Sequence, residues 1–145
     1  MGTPLEPGWY LVESRAIGEY LPIAMPIIAR AMEYDPGKYT ADDIADMLED
    51  GRQVLWLALR DGVEGAATAE LVKYPTGKVA CLIFAMAASD IGRGNMPYWS
   101  GPPFARVEEW AKDCGATMME FYGRKGWARV LGKDWQARVY CRKEL

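Results

Sequence analysis

The chain of 145 residues contains no histidine. Histidine is the commonest general base and the commonest metal ligand in proteins. Its absence excludes a Ser-His-Asp or Cys-His mechanism within this chain, and no metal site is expected. Any acid–base chemistry would have to use Glu, Asp, Tyr, Cys or a water molecule held by the backbone.

Cysteine is scarce, and the three cysteines are Cys81, Cys114 and Cys141. An odd number at wide spacing matches neither a disulfide framework nor a zinc site. We therefore interpret them as small buried apolar residues, in a protein that resides in a reducing compartment such as the cytoplasm.

Long apolar runs are also missing. No run approaches the roughly 18 residues of a membrane-spanning helix, and residues 1–15 lack the basic start and apolar centre of a signal peptide. The length is typical of one domain, and 50% of the residues are hydrophobic. We expect a single globular domain over residues 1–145, with no membrane partner.

Charge is unevenly placed along the chain. The formal net charge is −3, yet residues 91–145 hold ten basic and six acidic side chains, whereas residues 1–90 are strongly acidic. This partition favours an anionic ligand near the C-terminal half, or else it is only a feature of the solvated surface. Because the whole chain is acidic, strong non-specific binding to nucleic acid is not expected.

The hydrophobic pattern predicts a mixed α/β domain. Period-two stretches bounded by turn residues indicate strands, and apolar spacings of three and four indicate helices. A meander of strands joined to a strand–helix–strand crossover gives a mixed sheet. The helix in residues 15–34 should start near Pro22 or be kinked, because Pro22 and Pro26 interrupt it. The predicted strands cover residues 8–14, 54–60, 63–72, 79–87, 117–122 and 135–142, and the other helices cover 40–51, 101–115 and 127–131.

This order of elements resembles the GNAT superfamily of acyl-CoA N-acyltransferases over residues 9–145. The resemblance implies an α/β (α+β) fold with a mostly antiparallel central sheet of six to seven strands, flanked by about four helices. Within that group the chain looks most similar to GNAT-like proteins of tailed bacteriophages. Those proteins share the run ADDIADMLEDGRQVLWLALRDGVEGAATAELVKYPTGK, the block VEEWAKDCGATMMEFYGRKGW and an end similar to RKEL. Some of them are internal virion proteins of short-tailed phages.

The resemblance implies a site for acetyl-CoA. In the family, the fourth strand binds the acyl end and an Arg/Gln-x-x-Gly-x-Gly/Ala loop binds the diphosphate through its N–H groups. The matching loop here reads DIGRGN, with Ser89 or Asp90 at the position of the leading Arg or Gln. It is either a diphosphate loop or an ordinary connection between a strand and a helix. The implied CoA-binding residues are Phe84, Ala85 and Met86 of the strand, and Gly92, Arg93, Gly94 and Asn95 of the loop.

Acid–base residues follow from the same resemblance. A tyrosine near the end of the fifth strand commonly protonates the CoA thiolate, which points to Tyr122, with Tyr140 as the second choice. A strand glutamate or a water molecule commonly acts as the base, which points to Glu120 or Glu70. A hydrogen-bonded structural tyrosine and a solvated glutamate are the other interpretations.

The stretch EFYGRKGWARVL places Arg124 and Lys125 between two glycines at the end of a strand. These two cations either contact the phosphates of CoA or lie in solvent. We expect Gly123 and Gly126 to shape the turn and Trp127 to fill the core. A wider basic cluster could also meet an acidic partner; it comprises Arg124, Lys125, Arg129, Lys133, Arg138, Arg142 and Lys143.

Two functions remain open from the sequence. The first is an N-acetyltransferase that moves an acetyl group from acetyl-CoA to an amine. The second is a GNAT-fold binding or virion protein of a bacteriophage without turnover, located in the host cytoplasm or in the virion. The partner would be a small acyl-CoA molecule or a protein, and a homodimer is left open.

Overall fold

The computed structural model describes residues 6–33, 37–123 and 126–145. Two short 3₁₀ helices, Ser14–Ala16 and Pro102–Phe104, accompany the main elements. The strands are β1 (Gly8–Leu11), β2 (Val54–Leu59), β3 (Val63–Lys73), β4 (Val79–Ala88) and β5 (Met118–Phe121). The helices are α1 (Ile17–Met32), α2 (Ala41–Glu49), α3 (Met96–Trp99), α4 (Ala105–Asp113) and α5 (Trp127–Leu131).

The five strands form one sheet in the order β1-β2-β3-β4-β5. Neighbours are antiparallel from β1 to β4, and β5 lies parallel to β4. A parallel pair needs a crossover connection, and the segment from α3 to α4 supplies it. The predicted mixed α/β fold is confirmed.

The predicted six to seven strands are wrong, because the described residues form five. The segment predicted as a last strand, residues 135–142, has no strand. Its alternation of apolar and polar residues predicts which side chains share a face, but not whether a strand edge lies within reach. The chain instead leaves α5 through Gly132 at φ +86°, and Tyr140 lies beside Lys38, whose Nζ donates to its hydroxyl at 2.8 Å. Val139 is consequently 90% exposed.

Each face of the sheet carries its own apolar core. On the face covered by α4, called the α4 face, the core includes Trp9, Trp56, Ile83, Trp99, Phe104 and Val107. Within this core, Trp9 connects β1 to α3, because its Nε1 donates to the carbonyl oxygen of Trp99 at 2.8 Å. On the opposite face, called the α1/α2 face, the core includes Ile28, Ile44, Leu48, Leu55, Leu57 and Ala66.

Helix α1 begins at Ile17 and continues through both prolines, so the predicted start near Pro22 is wrong, and the alternative of a kink there stays a prediction. A proline inside a helix removes one N–H and therefore one intrahelical hydrogen bond. Burial of the inward side of α1 offsets these losses; that side comprises Ile17, Ala24, Ile27 and Ile28. No helix among residues 6–33, 37–123 and 126–145 is long and apolar enough to cross a membrane.

The predicted cap of α2 is confirmed, and the cysteine prediction is confirmed for one residue of three. Thr40 caps α2: its side chain accepts from the Asp43 N–H, and the Asp43 carboxylate accepts from the Thr40 N–H. These hydrogen bonds lower the pKa of Asp43. The cysteine prediction holds only for Cys81, which is buried, since Cys114 and Cys141 are exposed. Cys114 lies at the C-terminal end of α4 and Cys141 in the chain after α5, where neither core covers them.

Candidate functional site

The pairing of β4 with β5 stops halfway along β4. Its last pair is Ile83 with Phe121, yet β4 continues to Ala88. Beyond that pair, β4 keeps its partner β3 on one side only, and no other described strand lies on its free edge. We call this open edge, residues 84–88 facing away from β3, the wedge.

A β-bulge lies at the apex of the wedge. Thr68 of β3 pairs with Ala85, and the next residue of β3 pairs with Ile83, so Phe84 is the extra residue of β4. Phe84 and Ala85 consequently both pack on the α1/α2 face, whereas Ile83 and Met86 belong to the α4 face. Bulges end regular pairing and redirect neighbouring groups, and this one lies where β5 separates from β4.

The bulge also decides which backbone groups face the wedge. The N–H of Ser89 donates to Glu64 of β3 at 2.9 Å, so Ser89 points its N–H towards β3. Successive residues of a strand direct their N–H and C=O groups to opposite edges. Ser89 and Ala87 therefore direct theirs towards β3, whereas the N–H and C=O groups of Ala88 and Met86 face the wedge. The Ala88 carbonyl there accepts from Arg30 Nη1 of α1 at 3.1 Å. The Met86 N–H is therefore a backbone donor at the open edge.

Glu120 lies in a row across three strands on the α1/α2 face. Register pairs Glu70 of β3 with Leu82 of β4, and Leu82 with Glu120 of β5. Paired residues share a face, so two half-buried carboxylates flank Leu82. Tyr122 follows two residues after Glu120, beyond the last paired residue of β5, and it is 69% exposed.

Tyr74 reaches this row from the turn between β3 and β4. Its hydroxyl donates to Glu120 Oε1 at 2.5 Å. That hydrogen bond, together with burial, raises the pKa of Tyr74 to about 12, and the Tyr122 phenol adds to the rise. The predicted base, Glu120, is therefore held by a side chain that the sequence analysis interpreted only as part of a turn.

The loop after β4 folds back on β3. A β-carbon on Gly92 would lie 1.8 Å from the Glu64 carbonyl oxygen, so glycine at this position permits close contact with the sheet. Several loop N–H groups donate within the loop: Gly92 to Ser89 at 3.2 Å, Arg93 to Asp90 at 3.4 Å and Asn95 to Gly92 at 2.9 Å. Gly94 has φ +86° and open space around it.

A buried carboxylate anchors this loop. Glu64 is 3% exposed, and Arg60 donates to both of its oxygens at 2.8 and 2.9 Å. Asn95 Nδ2 and Trp99 Nε1 donate to Oε1 at 3.0 and 3.2 Å. These hydrogen bonds, above all those from Arg60, lower the pKa of Glu64 to about 2 despite its burial. Asn95, a predicted CoA-binding residue, thus has a structural partner on β3.

Two arginines converge on Asp90 near the end of β4. Arg30 Nη2 bonds to Asp90 Oδ1, and Arg93 Nη2 lies 3.6 Å from the same oxygen. The contact with Arg30 is the main reason that the pKa of Asp90 is lowered. A cavity of about 330 Å³ lies beside this cluster, lined by Ile23, Pro26, Ile27, Arg30, Val63, Ser89, Asp90 and Ile91.

The glycine turn after β5 is closely packed at Gly123. A β-carbon there would lie 2.3 Å from the Phe121 ring and 2.6 Å from the Trp127 ring, and those rings contact each other at 5.0 Å between centroids. The predicted ligand cations Arg124 and Lys125 lie outside the described residues. Within the described chain, no group of three or more Cys, Asp and Glu side chains could hold a metal ion.

Sequence reasoning missed three side chains of this region, Arg30, Glu64 and Tyr74. Arg30 is a charged residue within the otherwise apolar stretch PIIARAM, but this signal does not identify Asp90 as its partner. Tyr74 had no comparable signal, because a tyrosine at the start of a turn has no pattern that predicts its long-range partner.

The fold matches that of known acetyltransferases. An aminoglycoside acetyltransferase from an uncultured soil metagenomic sample, solved with sisomicin, has TM-score 0.68 and 10% identity, covering 94% of each chain. Ribosomal-protein-alanine N-acetyltransferase from Brucella melitensis has TM-score 0.62 and 15% identity, covering 94% of this chain and 96% of its own. A predicted acetyltransferase from Clostridium acetobutylicum, solved with acetyl-CoA, has TM-score 0.58 and 15% identity, covering 93% and 95%.

No family model matches the chain, and no curated protein matches it. Nothing in these comparisons supports the closer likeness to phage proteins. Identities of this size show a shared fold alone, and they confirm the predicted resemblance at that level. The chain has the fold of the GNAT acetyltransferases.

Proposed function

We propose that residues 1–145 form a single GNAT-like domain that moves an acetyl group from acetyl-CoA to an amine. The observation that carries this proposal is the wedge: β4 continues for five residues beyond its last pair with β5. An open strand edge offers backbone donors that a thioester carbonyl can accept. The names of the structural neighbours agree with this reaction, and one of them was solved with acetyl-CoA.

The proposed reaction uses a backbone group of the wedge and two side chains at the end of β5. The amine nitrogen attacks the thioester carbonyl carbon, the new C–N bond forms, and the C–S bond breaks. The Met86 N–H, supported by the bulge at Phe84 and Ala85, stabilises the negative charge that develops on the carbonyl oxygen. Glu120 takes a proton from the amine, and Tyr122 gives a proton to the CoA thiolate.

The diphosphate would meet the loop after β4. Gly94 and Arg93 are the loop residues best suited to it, since Gly94 has open space and the Arg93 side chain is 78% exposed. Gly92 and Asn95 would hold the loop against β3 through their contacts with Glu64. Arg124 and Lys125 complete the proposed set as further cations for the phosphates.

The test is acetyl-CoA binding followed by acetyl transfer to a panel of amines. At a concentration about 100-fold above Kd, binding adds roughly 2.7 kcal/mol of stability, which a thermal shift detects. Glu120→Gln and Tyr122→Phe should retain the shift and lose turnover. The control Tyr20→Phe changes a half-buried tyrosine of the α1/α2 face and should retain both. A wild-type protein with no thermal shift at millimolar acetyl-CoA would refute the proposal.

One observation favours the second candidate, a binding protein without turnover. Asp90 places a carboxylate beside Arg30 and Arg93 at the end of β4, where an acidic group repels a diphosphate. Such a protein would use the GNAT fold as a scaffold in the host cytoplasm or the virion of a phage. Acetyl-CoA binding without transfer to any amine, or no binding at all, is the result expected for this candidate.

A further inference from the structure

The last part of the chain connects the two faces of the sheet. Trp135 packs on the core of the α4 face. Tyr140 meets Lys38, whose Nζ donates to the Tyr140 hydroxyl at 2.8 Å and lies 4.7 Å from the centre of the Tyr140 ring. The residue after Lys38 belongs to the α1/α2 face, because the rings of Tyr39 and Phe84 are in contact at 4.8 Å between centroids. Five residues span at most about 18 Å, so the chain passes the sheet by a nearby edge.

The nearby edge is that of the wedge. Tyr39 packs on Phe84, the bulged residue at the apex, so Tyr140 lies beside the apex on the α1/α2 face. Strands β1 to β4 are paired without a gap, whereas β4 beyond its last pair with β5 has no further described strand on its free edge. The shortest route between the two faces passes over that edge. We call residues 136–140, which follow this route, the strap.

The strap is held at its ends and is loose between them. Trp135 is half-buried in the α4-face core, and Tyr140 is held by Lys38. Residues 136–140 are all exposed, and Val139 is 90% exposed. A segment with so little buried surface opens at a small cost in free energy. The contact between Tyr140 and Lys38 therefore determines how readily the strap leaves the wedge.

The strap borders the face from which an amine would reach the thioester. Glu120, the proposed base, pairs with Leu82 of β4 on the α1/α2 face, and Phe84 lies farther along β4 on the same face. An amine that gives its proton to Glu120 has to approach across this face, because a base acts within hydrogen-bond reach. Tyr39 and Tyr140 stand beside that approach.

We propose that the strap restricts the acetyl acceptor to small primary amines, and that Tyr140 sets this limit through its contact with Lys38. This inference rests on the proposed acetyl transfer and names the substrate class of the same site. A small alkylamine passes between the strap and the α1/α2 face. The amino terminus of a peptide carries further residues behind it, and these meet the Tyr140 ring. Release of Tyr140 from Lys38 removes the barrier.

The experiment compares n-butylamine with the amino terminus of a decapeptide as acceptors. The wild-type protein should have the higher kcat/KM for butylamine. Tyr140→Ala should raise the ratio of the peptide value to the butylamine value at least about tenfold, with kcat for butylamine unchanged. Lys38→Met keeps a long side chain without the ammonium group and should raise the ratio as well. The control Val139→Ala changes the neighbouring exposed residue of the strap and should keep the wild-type ratio.

Proteolysis supplies a readout that needs no activity. Trypsin cleaves after Arg138, in the middle of the strap, and its rate follows the population of the open segment. Lys38→Met leaves the sequence around this bond unchanged and should speed its cleavage about threefold or more. The control Lys78→Met changes an exposed lysine in the turn between β3 and β4 and should leave the rate as in the wild-type protein. Equal rates for the two variants would overturn the role of Lys38.

Failure of this inference differs from failure of the proposed function. If the wild-type protein acetylates the peptide as well as butylamine, or if Tyr140→Ala keeps the wild-type ratio, the size limit is wrong while acetyl transfer stands. A fall of kcat for butylamine in Tyr140→Ala would also overturn it, because Tyr140 would then take part in the chemistry. If the wild-type protein acetylates no amine, both fall, even where Lys38→Met opens the strap.

Discussion

Gly92 lies directly against the carbonyl oxygen of Glu64, so that a β-carbon on Gly92 would lie 1.8 Å from this oxygen. The loop after β4 and the start of β3 therefore share one contact that admits no side chain. The buried carboxylate of Glu64 also accepts hydrogen bonds from the side chains of Asn95 and Trp99. Backbone and side chain of one residue thus both fix the loop beside the wedge.

Gly92→Ala should therefore be strongly destabilising, by about 3 kcal/mol, because the loop must move off β3. The matched control is Gly18→Ala in α1, where a β-carbon meets nothing within 4 Å. That change should be neutral or stabilising by about 0.5 kcal/mol, since alanine favours a helix. Urea unfolding measures the free energy of unfolding of both variants, and equal values would contradict the close contact between Gly92 and Glu64.

Glu64→Gln should lower stability by about 2 kcal/mol, because it removes the charge that Arg60 pairs with in a buried position. The pKa of Glu64 is depressed in the folded protein, from 4.5 to about 2. Its contribution is therefore present above pH 4.5 and is lost as the pH falls towards 2. The wild-type protein and Glu64→Gln should become more nearly equal in stability over that window. A constant difference at all pH values would count against the ion pair.

Asp90→Asn should strengthen acetyl-CoA binding by about threefold, because it leaves Arg30 and Arg93 available to the diphosphate. Little stability should be lost, since the ion pair is exposed to solvent. Asp113→Asn, which makes the same charge change at the exposed end of α4, is the control and should leave Kd unchanged. Calorimetric titration with CoA measures both, and equal Kd values for both variants would show that Asp90 does not oppose the phosphates.

Met86→Pro removes one backbone N–H at the wedge, where that N–H does not pair with β3. The variant also loses a buried side chain and should therefore be less stable. Under conditions where it is folded, kcat should fall about 100-fold, which is typical of a missing oxyanion donor. Ala87→Pro, one residue on, removes an N–H that faces β3 and should disrupt the sheet. Circular dichroism separates the two variants, and full activity of Met86→Pro would show that the N–H of Met86 does not stabilise the oxyanion.

The sequence predicted local structure well where a local interaction determines it. The capping box at Thr40, the Asp61–Gly62 hairpin turn and the helix from Trp127 to Leu131 all lie where residue chemistry indicates. Each depends on contacts among residues close in the chain, so pattern alone predicts it. The strand predicted in residues 135–142 failed because a strand also needs an unpaired edge at the right distance.

In the candidate site, too, residues suggested by the sequence differ from residues whose contacts depend on long-range packing. The resemblance to the GNAT superfamily implied Glu120, Tyr122 and the loop glycines, and their roles stay predictions. It could not find Tyr74, Arg30 or the Glu64 anchor, whose partners are up to 60 residues away in the chain.

By itself, the sequence determined where the five strands of the sheet lie, which faces are apolar and which residue types remain for acid–base chemistry in a chain without histidine. Only the tertiary structure decided that β5 leaves β4 after Ile83, that Phe84 is a bulge, and that Tyr74 meets Glu120. The physical reason is that hydrophobic period and turn chemistry act over a few residues. Register, strand separation and side-chain hydrogen bonds across the sheet arise only when distant segments pack together.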